Sequence, residues 1–291
     1  MTDGAPLARY TSLKVGGPPD RWAAPASEEA LRRTLREAAD REEPVRALGG
    51  GRNLLVDDLG VAGTVVTTSR LRAVAIDGAL VTAQAGSPLP GLVHRTAAAG
   101  LAGLEVLAGI PGTVGGAVRM NAGGHQGEIG DRVVLVRGFR RDGEPFALDR
   151  EGCGFRYRGS DLEGSFVTEV TLRLEPSGAD LGARVKELIA WKAAAQPLHA
   201  ATAGCTFKNP PGGRSAGLLL DLAGLKGFAR GGARFSPRHA NFIENSGGAT
   251  FADVFSLIEE GQRRVWSESG VRLELEVEVW RRAPEAARAV A

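Results

Sequence analysis

Cysteine and long apolar runs are scarce in this 291-residue chain. Its two cysteines, Cys153 and Cys205, lie far apart and form no C-x-x-C pair, which disfavours both a disulfide scaffold and a clustered zinc site. No apolar stretch approaches the length of a membrane span, and the first residues lack a basic start followed by an apolar core. We therefore expect a cytoplasmic protein without a signal peptide.

An excess of either charge is also lacking. Lysine and arginine total 36 against 34 acidic residues, a formal net charge of +2, and the arginines form no run. Proteins that bind nucleic acids or membrane surfaces usually carry a basic stripe. We therefore expect neither partner, and no metal site is predicted. The chain is long enough for two ordinary domains.

Helical and strand patterns alternate along the chain. Ser27 precedes a stretch with Leu31 and Leu35 on one face, which is typical of a capped amphipathic helix. The alternation indicates an α+β protein with mixed sheets. Helices are predicted at 27–40, 88–99, 180–195, 215–223 and 250–268, and strands at 44–48, 64–68, 74–76, 80–84, 132–140, 166–174, 240–245 and 271–280.

Glycine is abundant, and many of the 41 glycines cluster. "GGGRNLL" (49–55) follows a predicted strand, and "GIPGTVGGAVRMNAGG" (109–124) forms a second cluster. Consecutive backbone N–H groups bind phosphate, and glycine permits a close backbone approach. Neither cluster is a Rossmann fingerprint or a P-loop. Either one alone is typical of a tight turn, but two together favour a phosphate-bearing cofactor.

A possible nucleophile elbow occurs in "GRSAG" (213–217), which matches G-x-S-x-G and has His239 downstream. The elbow requires a strand that runs directly into the serine, whereas "NPPGG" precedes this one and disfavours a central strand. Ser215 is therefore predicted to cap a helix rather than to act as a nucleophile.

Two further patterns carry reactive side chains. Cys205 lies within "AGCTFKNP", where it is either a packing residue or a reactive group. The predicted last strand alternates strictly, which places Glu274, Glu276 and Glu278 on one face. A row of carboxylates can raise the pKa of its most buried member, but alternation alone does not identify that member.

Eight blocks, taken in order, resemble the UDP-N-acetylenolpyruvoylglucosamine reductase family. They are "TSLKVGGPPD", "ALGGGRNLLV", "GLEVLAGIPGTVGGAVRMNAGGHQGEI", "FRYRGS", "AGCTFKNP", "SAGLLLDLAGLKG", "RHANFIEN" and "GVRLELEVEVW". Each block is weak alone, but the ordered set is specific and runs along nearly the whole chain. The resemblance implies an FAD-binding domain of the vanillyl-alcohol oxidase type at 1–178, with two α+β subdomains split near 70, and a substrate-binding C-terminal α+β domain at 179–291.

The resemblance also implies a reaction in peptidoglycan precursor synthesis. NADPH reduces FAD, and hydride then passes to the enolpyruvyl group of UDP-N-acetylglucosamine enolpyruvate to give UDP-N-acetylmuramate. Two alternatives stay open at this point. One is another flavoenzyme on the same fold, such as a hydroxy-acid or sugar oxidase, and the other is a nucleotide-binding protein without activity. The oligomeric state is left open.

The resemblance assigns roles to individual residues. Arg158 of "YRGS" would face the substrate carboxylate, Cys205 stands where the family has its proton-donating serine, and Glu276 would assist as a neutral acid. Four further residues are expected beside the substrate: Tyr157, Lys208, Asn209 and His239. The residues expected to bind FAD are Gly49, Gly50, Gly51, Arg52, Asn53, Leu54, Ile110, Pro111, Gly112, Thr113, Gly115, Gly116 and Asn121.

Three departures from the family pattern stand out. Arg52 replaces the usual serine of the glycine loop, and its guanidinium is expected to pair with a phosphate. Glu278 occupies a position where arginine is common. No tyrosine-bearing insertion follows "YRGS", which resembles the shorter, second type of the family.

Overall fold

The computed structural model describes residues 5–124 and 126–282, and these form two compact units. Among the described residues, the first unit comprises 21–50 and 63–192, and the second comprises 5–20, 51–62 and 193–282. Each unit therefore draws on chain segments that are distant in the sequence.

Six α-helices and eighteen strands occur in the described part of the chain. The helices are α1 (Glu28–Ala39), α2 (Leu89–Ala98), α3 (Val114–Arg119), α4 (Leu181–Ala195), α5 (Ala216–Leu222) and α6 (Phe251–Ser269). The strands are β1 (Pro19–Ala23), β2 (Val45–Leu48), β3 (Leu54–Val56), β4 (Val61–Thr67), β5 (Val74–Asp77), β6 (Leu80–Gln84), β7 (Leu101–Ala102), β8 (Gly123–Gly124), β9 (Gly127–Glu128), β10 (Val133–Phe139), β11 (Pro145–Asp149), β12 (Phe166–Arg173), β13 (Glu175–Pro176), β14 (Thr202–Cys205), β15 (Ala229–Arg230), β16 (Ala233–Phe235), β17 (Phe242–Asn245) and β18 (Glu278–Trp280).

The first unit is built on a five-stranded sheet of order β11-β10-β12-β6-β5, in which neighbouring strands are antiparallel. A three-stranded sheet of order β1-β4-β2 contributes a parallel pair, β2 and β4. The large core cluster is formed by apolar side chains of the five-stranded sheet, α2, α3 and α4. A smaller cluster packs Leu31 and Leu35 of α1 against Val66 and Phe166.

The second unit contains a four-stranded sheet of order β14-β17-β16-β15 and a parallel pair of β18 with β3. Its core packs α5 and α6 against these strands, with Phe207 and Phe235 fully buried. Helix α6 begins with a capping box. The Thr250 side chain accepts a hydrogen bond from Asp253 N, and the Asp253 carboxylate accepts one from Thr250 N. Such a box satisfies backbone donors that a helix start leaves without partners.

Most predicted elements are confirmed to within a few residues. The Ser27 side chain caps α1 by accepting from Ala30 N at 3.2 Å, as predicted. The predicted strand at 271–280 is wrong over most of its length, because only β18 is a strand and Leu275 makes an isolated bridge to Phe207. The chain pairs first with the segment after β14 and then with β3, so no single straight strand forms.

Candidate active site

The two glycine clusters approach each other within the first unit. A Cβ atom added to Gly49 would lie 2.8 Å from Thr113 Oγ1 and 3.8 Å from the Gly116 backbone. One added to Gly115 would lie 2.7 Å from Ala85 Cβ. Side chains at Gly49 and Gly115 would therefore force their neighbours to move. The lack of side chains at these positions lets the backbone of both clusters pack closely against neighbouring segments, and glycine-rich backbone of this kind can approach a phosphate-bearing cofactor.

The rest of the first glycine loop lies in the second unit. Gly51 has φ +59°, and a Cβ atom there would lie 2.1 Å from the Tyr10 carbonyl oxygen, so this position requires glycine. The Asn53 side chain donates its amide to the Glu276 carbonyl at 2.8 Å, and Glu278 N donates to the Asn53 carbonyl at 3.1 Å. Asn53, expected to bind FAD, thus also holds the chain at a predicted catalytic residue.

Asn121 lies near the end of the second glycine cluster, and its side-chain amide forms hydrogen bonds with other groups of the protein. Its Oδ1 accepts from Gly130 N at 3.0 Å, and its Nδ2 donates to the Arg156 carbonyl at 3.1 Å and to the Glu128 carboxylate. Asn121 is 3% exposed. The Asn121 side chain therefore ties the glycine cluster to the loop that contains Arg158.

Arg158 lies in the first unit with a left-handed backbone, φ +55°. Its guanidinium lies 3.7 Å from Glu128 Oε1 and 5.0 Å from the centre of the Tyr157 ring. Lys192 donates to the Ala108 carbonyl at 2.6 Å. Burial lowers the pKa of Lys192, and the positive charge of Arg158 lowers this pKa further. This part of the first unit is thus cationic around Arg158, which suits an anionic group.

Two of the three predicted catalytic residues lie beside each other in the second unit. Cys205 ends β14, and the next residue, Thr206, presents its carbonyl to Glu276 N at 2.9 Å and to Val277 N at 3.3 Å. Because Glu276 and Val277 share the carbonyl of Thr206, two residues of one segment stand opposite one residue of the other, which is the arrangement of a β-bulge. Cys205 and Glu276 are both half-buried.

A second irregularity lies at Cys205 itself. Thr202 pairs with Glu244 and Cys205 pairs with Phe242, so β14 has one residue more than its partner over this stretch. Bulges re-aim side chains and are frequent beside active sites. Cys205 and Glu276, to which the family resemblance assigns roles as acids, are therefore both held where regular strand pairing is broken.

The structure distinguishes the three neighbouring glutamates. The Glu274 side chain is 78% exposed and lies 3.9 Å from Lys208 Nζ. The Glu278 carboxylate accepts from Trp280 Nε1 at 2.8 Å. Glu276 has its N–H and C=O held by two different segments, through the Thr206 carbonyl and the Asn53 side chain. These contacts hold the backbone of Glu276 next to the residue that follows Cys205, which sets Glu276 apart from the exposed Glu274 and from Glu278, whose carboxylate bonds to Trp280.

Asn209 and His239 lie near the start of α5. Asn209 Oδ1 accepts from Ala216 N at 3.0 Å, and a Cβ atom on Gly217 would lie 2.7 Å from the His239 ring. Burial lowers the pKa of His239, so the ring is neutral at neutral pH.

Ser215 caps α5 by accepting from Leu218 N at 3.2 Å, and no strand precedes it between 206 and 214. The prediction that Ser215 is a helix cap is confirmed.

Sequence reasoning missed two residues that organise the site. Asn241 is 2% exposed; its side chain accepts from Phe207 N at 2.9 Å and donates to Phe207 O at 2.8 Å. Its carbonyl accepts from Thr206 N at 2.7 Å, so it fixes the chain just after Cys205. Glu128 is the other, beside Arg158. Asn241 and Glu128 both lie inside blocks that resemble the family, and this position in the sequence was the signal that could have pointed to them.

The predicted site residues divide between the two units. The first unit contains Gly49, Gly50, Ile110, Pro111, Gly112, Thr113, Gly115, Gly116, Asn121, Tyr157 and Arg158, and the second contains Gly51, Arg52, Asn53, Leu54, Cys205, Lys208, Asn209, His239 and Glu276. In the described ranges, no cluster of three or more His, Cys, Asp or Glu side chains is arranged to hold a metal ion. None of the helices described is both long and apolar enough to span a bilayer.

Comparisons with known proteins identify the family of the chain. Residues 196–280 match the C-terminal domain of UDP-N-acetylenolpyruvoylglucosamine reductase, and residues 19–149 match the FAD binding domain. The UDP-N-acetylenolpyruvoylglucosamine reductase of Moorella thermoacetica is 45% identical over 278 residues, which cover 94% of this chain and 91% of the relative. Reductase 2 of Symbiobacterium thermophilum is 41% identical over 96% of this chain and 92% of its own length. The chain belongs to the UDP-N-acetylenolpyruvoylglucosamine reductase family.

A solved structure agrees with this assignment. The crystal structure of the Thermus caldophilus reductase superposes with a TM-score of 0.82 at 43% identity and covers 94% of this chain and 97% of its own. The fold is thus an FAD-binding domain of the vanillyl-alcohol oxidase type joined to the reductase C-terminal domain, in a short form of the family. The protein is an FAD-dependent oxidoreductase of peptidoglycan precursor synthesis that uses NADPH.

Proposed function

We propose that the substrate of this chain is UDP-N-acetylglucosamine enolpyruvate and its product UDP-N-acetylmuramate. The observation that carries the assignment of roles is the hydrogen bond from Glu276 N to the Thr206 carbonyl at 2.9 Å, which sets Glu276 beside Cys205. A cytoplasmic location is part of this proposal, as are a flavin domain at 1–178 with subdomains split near 70 and a substrate domain at 179–291.

The glycine clusters would hold the cofactor. Gly49, Thr113 and Gly116 offer packed backbone in the first unit, and the exposed Arg52 side chain offers a cation for a phosphate. FAD, when bound, supplies to the substrate the hydride that NADPH has delivered. The role of the remaining residues is to orient the substrate and to move one proton.

Arg158 would bind the substrate carboxylate. When hydride is added to the methylene carbon of the enolpyruvyl group, negative charge develops on the neighbouring carbon and spreads into its carboxylate. A guanidinium held at that carboxylate stabilises the developing charge more than the starting charge, which is what accelerates a reaction. Tyr157, 5.0 Å from the guanidinium carbon, and Lys192 shape the same surface.

Cys205 would donate the proton. Its Sγ–H bond breaks as a C–H bond forms at the carbon next to the carboxylate, and the thiolate regains a proton from solvent. Glu276 would assist as a neutral acid. Lys208, Asn209 and His239 would position the rest of the UDP-sugar, and the neutral His239 ring suits a hydrogen bond rather than an ion pair.

Half-reaction kinetics test the proposal. Anaerobic NADPH should bleach the yellow protein, and UDP-N-acetylglucosamine enolpyruvate should restore the colour far faster than oxygen does. UDP-N-acetylmuramate should form in the same amount as the NADPH consumed. Rapid reoxidation by oxygen with no response to the UDP-sugar would instead indicate an oxidase on the same fold.

A further inference from the structure

We propose that Glu128 is a positioning residue that orients the Arg158 guanidinium through a carboxylate held between Arg158 and Asn121. The inference rests on the proposed role of Arg158 toward the substrate carboxylate. It concerns the first unit alone, to which all three residues belong.

The first observation is the backbone. Among the described residues, four other than glycine have positive φ: Lys14, Glu42, Asn121 and Arg158. Asparagine tolerates this region, whereas arginine adopts it only with backbone strain. Two of the four, Asn121 at φ +45° and Arg158 at φ +55°, contact the same carboxylate, that of Glu128. Such strain persists where the surroundings impose it, and it is frequent at functional sites.

The second observation is how Glu128 is held. Its Oε2 accepts from Asn121 Nδ2, and its Oε1 lies 3.7 Å from Arg158 Nη1. Asn121 is anchored in turn, because its other contacts run to Gly130 N and to the Arg156 carbonyl, two residues before Arg158. The side chains of Glu128 and Arg158 are 26% and 18% exposed. The carboxylate is thus fixed from one side and attracts the guanidinium on the other.

The third observation is charge. Lys192 lies near enough to Arg158 for the positive charge of Arg158 to lower the pKa of Lys192. Two neighbouring cations repel each other, and a half-buried carboxylate offsets this repulsion more than an exposed one would. The distance from Glu128 Oε1 to Arg158 Nη1 is longer than a hydrogen bond, so the carboxylate aligns the guanidinium through its charge. Arg158 is thereby presented in one orientation before substrate arrives.

Glu128→Gln tests the proposal, because it removes the charge and keeps the shape and the acceptor for Asn121. We expect FAD content, melting temperature and reduction by NADPH to be unchanged. Reoxidation of the reduced enzyme by the UDP-sugar should slow about tenfold, the change that corresponds to about 1.4 kcal/mol. Glu128→Asp keeps the charge and should retain more of the reoxidation rate than Glu128→Gln. Equal losses in these two variants would overturn the proposal.

A double-mutant cycle separates positioning from a structural role. If Glu128 acts through Arg158, the Glu128→Gln/Arg158→Ala variant should be no slower in reoxidation than Arg158→Ala alone. Additive losses, or equal slowing of both half-reactions by Glu128→Gln, would overturn the proposal.

The matched control is Glu169→Gln. Glu169 is 25% exposed and pairs with Arg137 at 3.3 Å on the five-stranded sheet, so it reproduces the loss of an ion pair away from Arg158. Both half-reactions should be unchanged in this variant. If Arg158→Ala itself spares the reoxidation step, the proposed role of Arg158 fails. A selective loss in Arg158→Ala without one in Glu128→Gln rejects only the positioning role.

Discussion

Cys153 and Cys205, the two cysteines of the chain, lie in very different surroundings. Cys153 is fully buried in the core of the first unit, where burial, and next the negative charge of Asp149, raise its pKa to about 11. Cys205 is half-buried at a bulge. Because the thiolate is the reactive form, alkylation near neutral pH should report on Cys205 and leave Cys153 unmodified.

Cys205→Ser should retain substantial activity and Cys205→Ala little, since a hydroxyl can replace a thiol as proton donor and a methyl group cannot. A thiol in water titrates near about 8.5, whereas serine stays protonated throughout the working range. A thiolate cannot donate, so reduction of the UDP-sugar should decline with rising pH through the thiol range. In Cys205→Ser this alkaline decline should shift to higher pH or vanish. Stopped-flow rates across pH measure it.

The control for this prediction is flavin reduction by NADPH, which should be independent of Cys205 in both variants. Iodoacetamide should inactivate the native enzyme, the UDP-sugar should protect it, and Cys205→Ser should resist. If Cys205 were a small packing residue, Cys205→Ala would be nearly harmless and the pH profiles would superimpose.

Arg158→Ala should leave FAD bound and reducible by NADPH but impair the second half-reaction. Its guanidinium is assigned to a carboxylate on which charge increases only after hydride transfer. Removing such a group typically costs a few kcal/mol, or about a hundredfold or more in rate. Single-turnover measurements of each half-reaction separate the two steps. Equal losses in both would show that Arg158 is structural, for example through its contacts with Glu128 and Tyr157.

At the scale of elements, the segment 271–280 shows what a sequence pattern can and cannot predict. Alternation indicated one strand, and the chain is extended, but it changes partners at the bulge between Leu275 and Glu278. The apolar alternation continues without a break through this bulge, which depends on how the partner segments pair, so the alternation does not reveal it. The helices were predicted well because a 3.6-residue periodicity and a capping residue are local features.

Glu276→Gln should slow the oxidative half-reaction, whereas Glu274→Gln and Glu278→Gln should be mild. Glu274 points to solvent with a 78% exposed side chain, and Glu278 accepts from Trp280 Nε1 in its own strand. Glu276 is the residue whose backbone is held beside Cys205. Reoxidation rates of the three variants, at matched FAD content, test this. A larger loss of reoxidation rate in Glu278→Gln than in Glu276→Gln would contradict the assignment and move it two residues along the chain.

The contacts that organise the candidate site were beyond sequence reasoning because they join distant residues. Asn53 reaches Glu276 across 223 positions, and Asn241 reaches Phe207 across 34. The resemblance to a family supplied the residue identities, but it could not show that Asn121 and Arg158 share the Glu128 carboxylate. Local patterns predict elements, whereas positioning contacts depend on how those elements pack.

At the scale of the whole molecule, FAD removal should destabilise the protein. A ligand that binds only the folded state stabilises it by about 2.7 kcal/mol when free ligand exceeds the dissociation constant about a hundredfold. For a chain of this size, such a change shifts the melting temperature by roughly 4 °C. Calorimetry of the apoprotein, before and after FAD is added back, measures the shift. Riboflavin, which lacks the phosphates and the adenosine of FAD, is the control.

If the glycine clusters bind phosphate, riboflavin should restore little of the stability that FAD restores. Gly49→Ala should weaken FAD binding, because the added methyl group would lie 2.8 Å from Thr113 Oγ1. Gly178→Ala is the control for the substitution itself, since no atom lies within 4 Å of its Cβ position and, as at Gly49, its φ is not in the left-handed region. Equal stabilisation by riboflavin and FAD would show that the clusters are tight turns, and the flavin ring alone would then account for cofactor binding.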